Sequence, residues 1–388
     1  MTRPLGTWQG TDPWHVRCGH GWFVLVLALA LAPPAAGGEL QAPRAREAFF
    51  GLVTARAPAG ATHADLFAGR RLVVSGPVAG GAARFRPTLP PGRYDLRVRF
   101  RAGARVLRRD EARSVWLLPG SARDARRERS RDGGLSQRLA RLGRAFPAYA
   151  GVWVHDLADG RTAGWNSDAS FPAASTVKLG VLVAALDRFG TDERSAGWRD
   201  IRDLATWSSN LASNRLLVRL GGSEKAGARI VEDALHRMGA TESTFTGNYQ
   251  LGTVGLRDTP RPLPILTYRR TTAHDLGRIL FELHGAAVGN GLSLLRTRLT
   301  SHEARVALGL LLSTDTRGEN LGLFRPGLPP GTPIAQKQGW TTKIRHTAAI
   351  VYRPAGPLIV VVLTYGPNLH PGDARLLGIR VLDHTFRG

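Results

Sequence analysis

The sequence predicts an α+β protein: a small all-β unit, followed by a larger domain in which an antiparallel sheet is flanked by helices. Three observations support this fold class. Apolar and charged residues alternate over 94–100, which is the period of a half-buried strand. The run 177–186 is apolar nearly all round, as in a helix at the middle of a domain. Two strongly strand-forming segments, 347–352 and 358–365, lie near the C-terminus.

The first 36 residues have the pattern of a signal peptide. Arg3 and Arg17 precede an apolar run at 22–32, and prolines and small residues lead to Ala36, where we expect cleavage. The run has eleven residues, which is short for a membrane span, so an uncleaved anchor is the alternative. We therefore expect a secreted or cell-envelope associated protein. Cleavage would remove Cys18, the sole cysteine.

Residues 39–119 are predicted to form a small immunoglobulin-like β-sandwich. Segments 71–75 and 114–118 have strand patterns on either side of the alternating strand, which the turn at 90–92 introduces. The function of this unit does not follow from its pattern. A spacer, a wall-contacting module and a structural cap fit it equally well.

Residues 120–134 are predicted to be a charged linker, because five arginines and three acids there would stay solvated. The larger domain then spans 135–388. The whole chain has a formal net charge of +23, yet its arginines are scattered over both units, so we do not predict nucleic-acid binding. A weak contact with anionic cell-envelope polymers or lipid headgroups is the prediction that remains. The sequence does not indicate an oligomeric state.

Ser175 and Lys178 are the candidate catalytic pair. They lie three residues apart at the start of the apolar helix, so the lysine amine can act as base or proton relay for the serine hydroxyl. Burial disfavours the charged ammonium and lowers the pKa of such a lysine. Only four of the 53 basic residues are lysines, and an arginine cannot serve as a base. Because short Ser/Lys spacings also occur by chance, the pair needs support from other motifs.

Two further motifs follow in order along the chain. Residues 208–210, Ser-Ser-Asn, precede a helix that the glycines at 221–222 close, so a second hydroxyl and an amide stand at a helix start. Lys337 and Gly339 stand at the end of an extended segment. A lysine there can bind a substrate carboxylate, and a glycine lets the backbone come close to a ligand.

Together the three motifs resemble those of the penicillin-recognising serine hydrolases, the class A β-lactamases and their D,D-peptidase relatives. Residues 171–179 look like the nucleophile motif of that family, 208–210 match its SxN element, and 337–339 match its KTG element with glutamine in the middle. A hairpin predicted at 151–166 precedes the nucleophile, as in that family. The resemblance covers 135–388. It implies a five-stranded antiparallel sheet flanked by helices, together with a helical subdomain.

The resemblance implies a role for each residue of the reacting group. Ser175 would attack a carbonyl to form an acyl-enzyme, while Lys178 takes its proton. Ser208 would relay a proton to the leaving nitrogen. No metal and no organic cofactor are implied.

The same resemblance implies a substrate-binding set. Asn210 would hold the catalytic lysine and the substrate amide, and Lys337 would supply positive potential for a carboxylate. Gln338 and Gly339 complete the third motif. The backbone N–H of Trp340, with that of the nucleophile, would form an oxyanion hole, in which one donor is worth about 3 to 4 kcal/mol.

One departure from the family pattern concerns release of the acyl group. In class A β-lactamases a loop glutamate activates the hydrolytic water, yet residues 246–270, the corresponding region, contain no glutamate. Asp258 is the only acid there, and it is either a base or a turn residue. Asn214 stands where the family has an asparagine that supports this loop, and its usual partner is missing.

Other departures concern the substrate. The interval from Ser175 to Ser208 is 33 residues, which is short for this family, so the helical subdomain is predicted to be trimmed. Gln338 and the bulky Trp340 are expected to change the carboxylate pocket. Efficient acylation with slow release, or action on another acyl substrate, fits these departures better than fast β-lactam hydrolysis.

Other catalytic signatures do not occur. There is no GxSxG elbow and no phosphate loop, and the eleven histidines do not cluster at metal-ligand spacings. We therefore predict an exported serine hydrolase of the β-lactamase-like family, acting through an acyl-enzyme on β-lactams or related amide or peptide substrates. One alternative is a penicillin-binding protein resembling a peptidoglycan D,D-peptidase. The other is a catalytically idle cell-envelope binding protein.

Overall fold

The computed structural model describes residues 39–249 and 269–386. The predicted signal peptide and Asp258 lie outside these residues. The first part of the described chain forms two sheets, of order β1-β3-β6 and β2-β8-β7-β4-β5. Their strands are β1 (Glu39–Ala42), β2 (Ala48–Phe49), β3 (Val53–Arg56), β4 (His63–Ala68), β5 (Arg71–Pro77), β6 (Ala82–Phe85), β7 (Gly92–Ala102) and β8 (Arg105–Leu117).

The two sheets share one apolar core. In β7, Leu96, Val98 and Phe100 are fully buried, whereas Arg97 and Arg99 between them are partly exposed. The buried side chains pack in one cluster with residues of β3 and β6 in the facing sheet. The alternating pattern therefore marks a strand with one buried face, and the predicted all-β unit is present.

The larger domain is built on a sheet of order β14-β15-β16-β10-β11-β9. Its five longer strands are antiparallel neighbours, as predicted. Two short strands, β12 and β13, pair beside it. The bounds are β9 (Ser130–Arg131), β10 (Tyr149–Asp156), β11 (Arg161–Trp165), β12 (Phe171–Pro172), β13 (Arg270–Thr271), β14 (Ile334–Thr341), β15 (Ile344–Arg353) and β16 (Gly356–Tyr365).

Helices cover both faces of this sheet. Their bounds are α1 (Gly133–Ala145), α2 (Lys178–Phe189), α3 (Trp198–Trp207), α4 (Asn210–Gly221), α5 (Glu224–Arg237), α6 (Ala273–Ala287), α7 (Gly291–Thr297), α8 (Ser301–Leu312) and α9 (Pro371–Phe386). Helices α1 and α9 pack on one face. Helices α2, α6 and α8 pack on the other. Strand β16 is buried on both sides, which explains its continuous apolar run.

The helical layer between the first two motifs is short, as predicted. Helix α3 is the one helix that begins and ends between α2 and Ser208. None of the described helices combines the length and the apolar character that a membrane crossing requires.

In the segment 120–134, which is predicted to be a charged linker, four of the five arginines are exposed, while part of the backbone is hydrogen-bonded to the larger domain. Residues Gly120–Arg123 form a 3-10 turn, and β9 adds a sixth, parallel strand to the predicted five at the edge of β11. The Arg126 N–H also donates to the Leu157 carbonyl at 2.9 Å. The open edge of β11 offers backbone groups that this segment satisfies, and composition alone does not show such a partner.

The two parts of the chain are joined by specific polar contacts. Glu47, next to β2, is buried and accepts from His302 Nδ1 at 2.5 Å and from Arg305 Nε at 3.3 Å, both on α8. Trp116 Nε1 of β8 donates to Ser313 Oγ at 2.8 Å. The described residues lie within one compact unit. The division into domains at 39–119, 120–134 and 135–388 stays a prediction.

The Glu47 contact predicts acid-sensitive stability. Burial raises the pKa of this carboxyl, but the His302 hydrogen bond and the Arg305 charge outweigh burial and hold the pKa below its ordinary value of 4.5. The stabilisation is therefore present above that pH and is lost as the pH falls through the lower, folded-state pKa. Glu47→Gln is expected to lower the free energy of unfolding by about 2 kcal/mol at pH 7.

Denaturant unfolding at pH 7 and at about pH 3 measures this effect, and the difference between variant and wild type should shrink at the acid pH. Glu111→Gln is the matched control, because Glu111 is exposed and pairs with Arg113 on the same strand. It should change stability by less than about 0.5 kcal/mol. An equal loss in both variants would contradict the assignment.

Candidate active site

The nucleophile candidate Ser175 lies in the tight turn that leads into α2. Ala174 before it has φ of 47°, a left-handed conformation that is uncommon for a residue with a side chain. The Thr176 hydroxyl donates to the Ala173 carbonyl at 2.6 Å, and the Lys178 N–H donates to the Ser175 carbonyl at 3.2 Å. The serine and the lysine thus stand on one turn, as the spacing predicts.

Lys178 is fully buried at the start of α2. Its Nζ donates to the Ser208 carbonyl and to Asn210 Oδ1, both at 2.6 Å. An ammonium has three donors, so one remains after these two bonds. The first two sequence motifs therefore meet at this amine.

Ser208 connects the second motif to the third. It has left-handed φ and ψ of 58° and 31° and ends α3, while Ser209 caps α4 through the Ala212 N–H. Its carbonyl accepts from the first lysine, and its hydroxyl accepts from Lys337 Nζ at 2.7 Å. The turn between two helices thus presents both oxygens of one serine to two amines.

Lys337 reaches this site from β14. It is 1% exposed, and its Nζ also donates to the Gln338 carbonyl at 2.9 Å. Burial lowers its pKa to about 7. At neutral pH this amine is therefore only partly charged, unlike an exposed lysine.

The pKa of Lys178 lies well below the ordinary lysine value. Burial is the largest cause, followed by the positive charges of Lys337 and Arg269. No carboxylate of the described chain offsets these effects. The neutral amine is the form that accepts a proton, so this environment suits a base.

Gly339 brings β14 close to the nucleophile. A Cβ atom on this glycine would lie 2.9 Å from the backbone nitrogen of Ser175 and 3.1 Å from that of Thr176. Any larger residue would push the strand away from the turn. The oxyanion hole formed by the N–H groups of Ser175 and Trp340 stays a prediction.

The two other residues of the third motif differ in exposure. Gln338 is buried, and its Nε2 donates to Asn320 Oδ1 at 2.7 Å, away from the two lysine amines on the alternate side of the strand. Trp340 is 52% exposed at the strand end, with the Arg345 guanidinium 6.0 Å from its ring centroid. Substrate contact by either residue stays a prediction.

Tyr249 belongs to the site although sequence reasoning did not single it out. Asn214 Nδ2 donates to the Tyr249 carbonyl at 2.6 Å, and the Tyr249 N–H donates to Asn214 Oδ1 at 2.7 Å. The predicted loop support by Asn214 therefore has a partner, which is a tyrosine backbone. The available signal was the pair of aromatic residues, Phe245 and Tyr249, in an otherwise polar loop. The described residues contain no cluster of metal-ligating side chains.

Comparison with known proteins identifies the family. A sequence profile described as the Beta-lactamase enzyme family matches residues 134–197 and 198–381. The chain belongs to this family. A beta-lactamase from Streptomyces albus G is 25% identical over 275 residues, which cover 65% of this chain and 84% of that protein.

Solved structures show the same fold. The structure of PBP-A has a TM-score of 0.52 at 22% identity, covering 68% of this chain and 100% of PBP-A. An acyl-enzyme complex of a PBP-A mutant with penicillin G has the same TM-score at 21% identity, over 68% of this chain and 100% of that one. A beta-lactamase from Chitinophaga pinensis has a TM-score of 0.54 at 16% identity, with 66% and 99% covered. The β-lactamase-like fold predicted from the motifs is confirmed.

Buried Lys337 predicts a gain in stability on substitution. Lys337→Met should raise the free energy of unfolding by about 1 to 3 kcal/mol at pH 7, because it removes a group whose charge is costly to bury. The lysine titrates near pH 7 when folded and near its ordinary pKa of 10.5 when unfolded. The unfolded chain therefore binds more protons in this window, and wild-type stability rises with pH. The gain should be full below pH 7 and vanish toward pH 10.5.

Denaturant unfolding of the variant and the wild type across this window measures the gain. Lys225→Met is the matched control, because Lys225 lies exposed in the first turn of α5. That substitution should leave stability nearly unchanged. Destabilisation by Lys337→Met at pH 7 would show that its hydrogen bonds outweigh its burial cost.

Proposed function

We propose that this protein is an exported serine hydrolase that forms an acyl-enzyme at Ser175 with β-lactams or related amide and peptide substrates. One observation carries the proposal: two buried lysines, Lys178 and Lys337, converge on the two oxygens of Ser208 beside the nucleophile. Membership of the Beta-lactamase enzyme family supports the hydrolase class. The acyl-enzyme of a PBP-A mutant with penicillin G supports the substrate class.

Acylation follows from the placement of the amines. Ser175 Oγ would attack the amide carbonyl as its proton passes to neutral Lys178. Ser208 would pass its hydroxyl proton to the amide nitrogen as the C–N bond breaks and would regain a proton from Lys337 Nζ, which donates to that hydroxyl. The Ser175 proton stays on Lys178, so the total charge of the two lysines is unchanged. The acyl group then remains on Ser175 as an ester. Lys337, which lies close to its titration midpoint, would attract a substrate carboxylate in its charged form.

Release of the acyl group requires water and a base. Hydrolysis breaks the ester, and the proton taken from water returns to Ser175 Oγ. No carboxylate among the described residues contributes to the pKa of Lys178. The residue that is hydrogen-bonded to Asn214 is Tyr249, which cannot act as a carboxylate base. This favours slow release, and so the alternative of a penicillin-binding protein resembling a D,D-peptidase.

The idle binding protein is the weaker alternative. Holding Lys178 and Lys337 in a dry site costs stability, because burial lowers the pKa of both amines. A binding protein without chemistry has no need of that cost. Contact with anionic envelope polymers is compatible with either function. Export directed by residues 1–36 would put the site outside the cytoplasm.

The acyl-enzyme is tested by an intact-mass time course of the purified mature protein with penicillin G, with Ser175→Ala alongside. We expect an adduct of the mass of penicillin G on the wild type alone, persisting for minutes or longer. A transient adduct with loss of the penicillin would mean true β-lactamase turnover. Absence of both adduct and turnover would contradict penicillin recognition and leave another acyl substrate or the idle alternative.

Export is tested by expressing the full chain in a bacterium and sequencing the N-terminus of the protein recovered outside the cytoplasm. Cleavage after Ala36 predicts a mature protein that begins at Gly37. Replacing Leu25 and Leu27 with Arg should abolish export, since both interrupt the apolar run. Export of that variant at the wild-type level would exclude this segment as the signal.

A further inference from the structure

Two basic side chains pack against the ring of Tyr249. Lys178 Nζ lies 4.3 Å from the ring centroid, and the Arg269 Cζ lies 3.9 Å from it. The tyrosine is 4% exposed. Its ring therefore forms part of the wall that separates the catalytic lysine from bulk water.

The same helix fixes this wall and the amine that it covers. Asn210, the first residue of α4, accepts from Lys178 Nζ at 2.6 Å. Asn214, one turn later, accepts from the Tyr249 N–H at 2.7 Å and donates to the Tyr249 carbonyl at 2.6 Å. One turn of α4 thus sets both the lysine amine and the aromatic ring, so the packing of the two is built into the helix.

The hydroxyl of Tyr249 is the weaker part of the contact. It donates to the Ala174 carbonyl at 3.4 Å, the outer limit for such a bond. Burial raises the pKa of this phenol, so it stays neutral. The ring, rather than the hydroxyl, is therefore the group that acts on the lysine.

The ring of Tyr249 and the charges around Lys178 have opposite effects on protonation of the lysine amine. A ring face attracts a desolvated ammonium by about 2 kcal/mol, which favours the charged form. However, Arg269 packs on the same ring, and Lys337 faces the amine from β14. Both positive charges disfavour protonation of Lys178, and burial acts in the same direction. Because burial is the largest cause of the low pKa of Lys178, we infer that exclusion of water is the main effect of the ring.

We propose that Tyr249 is a positioning residue for acylation: its ring closes the chamber of Lys178 to water and keeps the amine ready to take the Ser175 proton. The inference rests on the proposed function, in which that proton moves from Ser175 Oγ to Lys178 Nζ as the ester forms. Tyr249 itself exchanges no proton. Tyr249 acts through the lysine, so a substitution of Tyr249 should change the pH at which the Lys178 amine takes up a proton.

The first test compares Tyr249→Phe with Tyr249→Ala in the rate of acylation by penicillin G as a function of pH. The rate rises with pH as Lys178 loses its proton. Phe keeps the wall, so its profile should match the wild type. Ala admits water, so the part of the profile in which the rate increases with pH, the rising limb, should shift to higher pH by at least about one unit. This shift lowers the rate about tenfold on the acid side.

A matched variant separates positioning from simple loss of packing. Phe245 is buried in the same loop, with its ring centroid 6.0 Å from that of Tyr249, and Lys178 Nζ lies over the ring of Tyr249. Phe245→Ala creates a cavity of similar size. Its rising limb should stay at the wild-type pH, whatever its thermal stability. A limb that moves equally in the two alanine variants, or in neither, would overturn the proposal.

The second test needs no β-lactam. In a Ser175→Ala background, acetic anhydride labels lysine amines, and peptide masses give the pH midpoint for labelling of Lys178, with exposed Lys225 as the reference for reagent activity. Tyr249→Ala should raise the midpoint by about one unit or more, and Tyr249→Phe should not. An unmoved midpoint rejects the role of Tyr249. If the midpoint moves but penicillin G never acylates the wild type, the proposed function fails and the positioning role stands.

Discussion

The contact of two buried lysine amines with one serine is the constraint on which the site depends. Lys178 uses the carbonyl of Ser208, and Lys337 uses its hydroxyl. Two positive charges this close would repel strongly in a dry environment, so the arrangement requires at least one neutral amine at physiological pH. A neutral amine can accept a proton, so the burial that costs stability also supplies a base near Ser175.

Three local features serve this contact. The left-handed turn at Ser208 aims its two oxygens in different directions. The lack of a side chain at Gly339 lets β14 carry its lysine up to the nucleophile turn. The apolar surroundings of α2, seen in the sequence as an unbroken hydrophobic run, hold the first lysine out of water. Helix and strand meet at one point because the sheet and the helical layer share a core.

Much of this site could be predicted from the sequence, because its chemistry lies in short motifs with local spacing. Ser175 and Lys178 share a turn, and the apolar runs of α2 and β16 mark elements buried on all sides. The place of Tyr249 at Lys178 did not follow from the loop sequence, since the contacts that fix it join residues far apart along the chain. Strand β9 was missed for a similar reason: the arginines of its segment indicated solvent, and Arg131 is exposed, but the backbone of the strand pairs with β11.

The central claim is that burial lowers the pKa of the Lys178 and Lys337 amines far below that of an exposed lysine. Carbon-13 labelling of lysine side chains, followed by NMR over a pH titration, tests it most directly because the chain has only four lysines. The account predicts that the Lys337 signal titrates near pH 7 and that the Lys178 signal titrates well below the ordinary value of 10.5. Two lysines that stay fully protonated up to about pH 10 would contradict it.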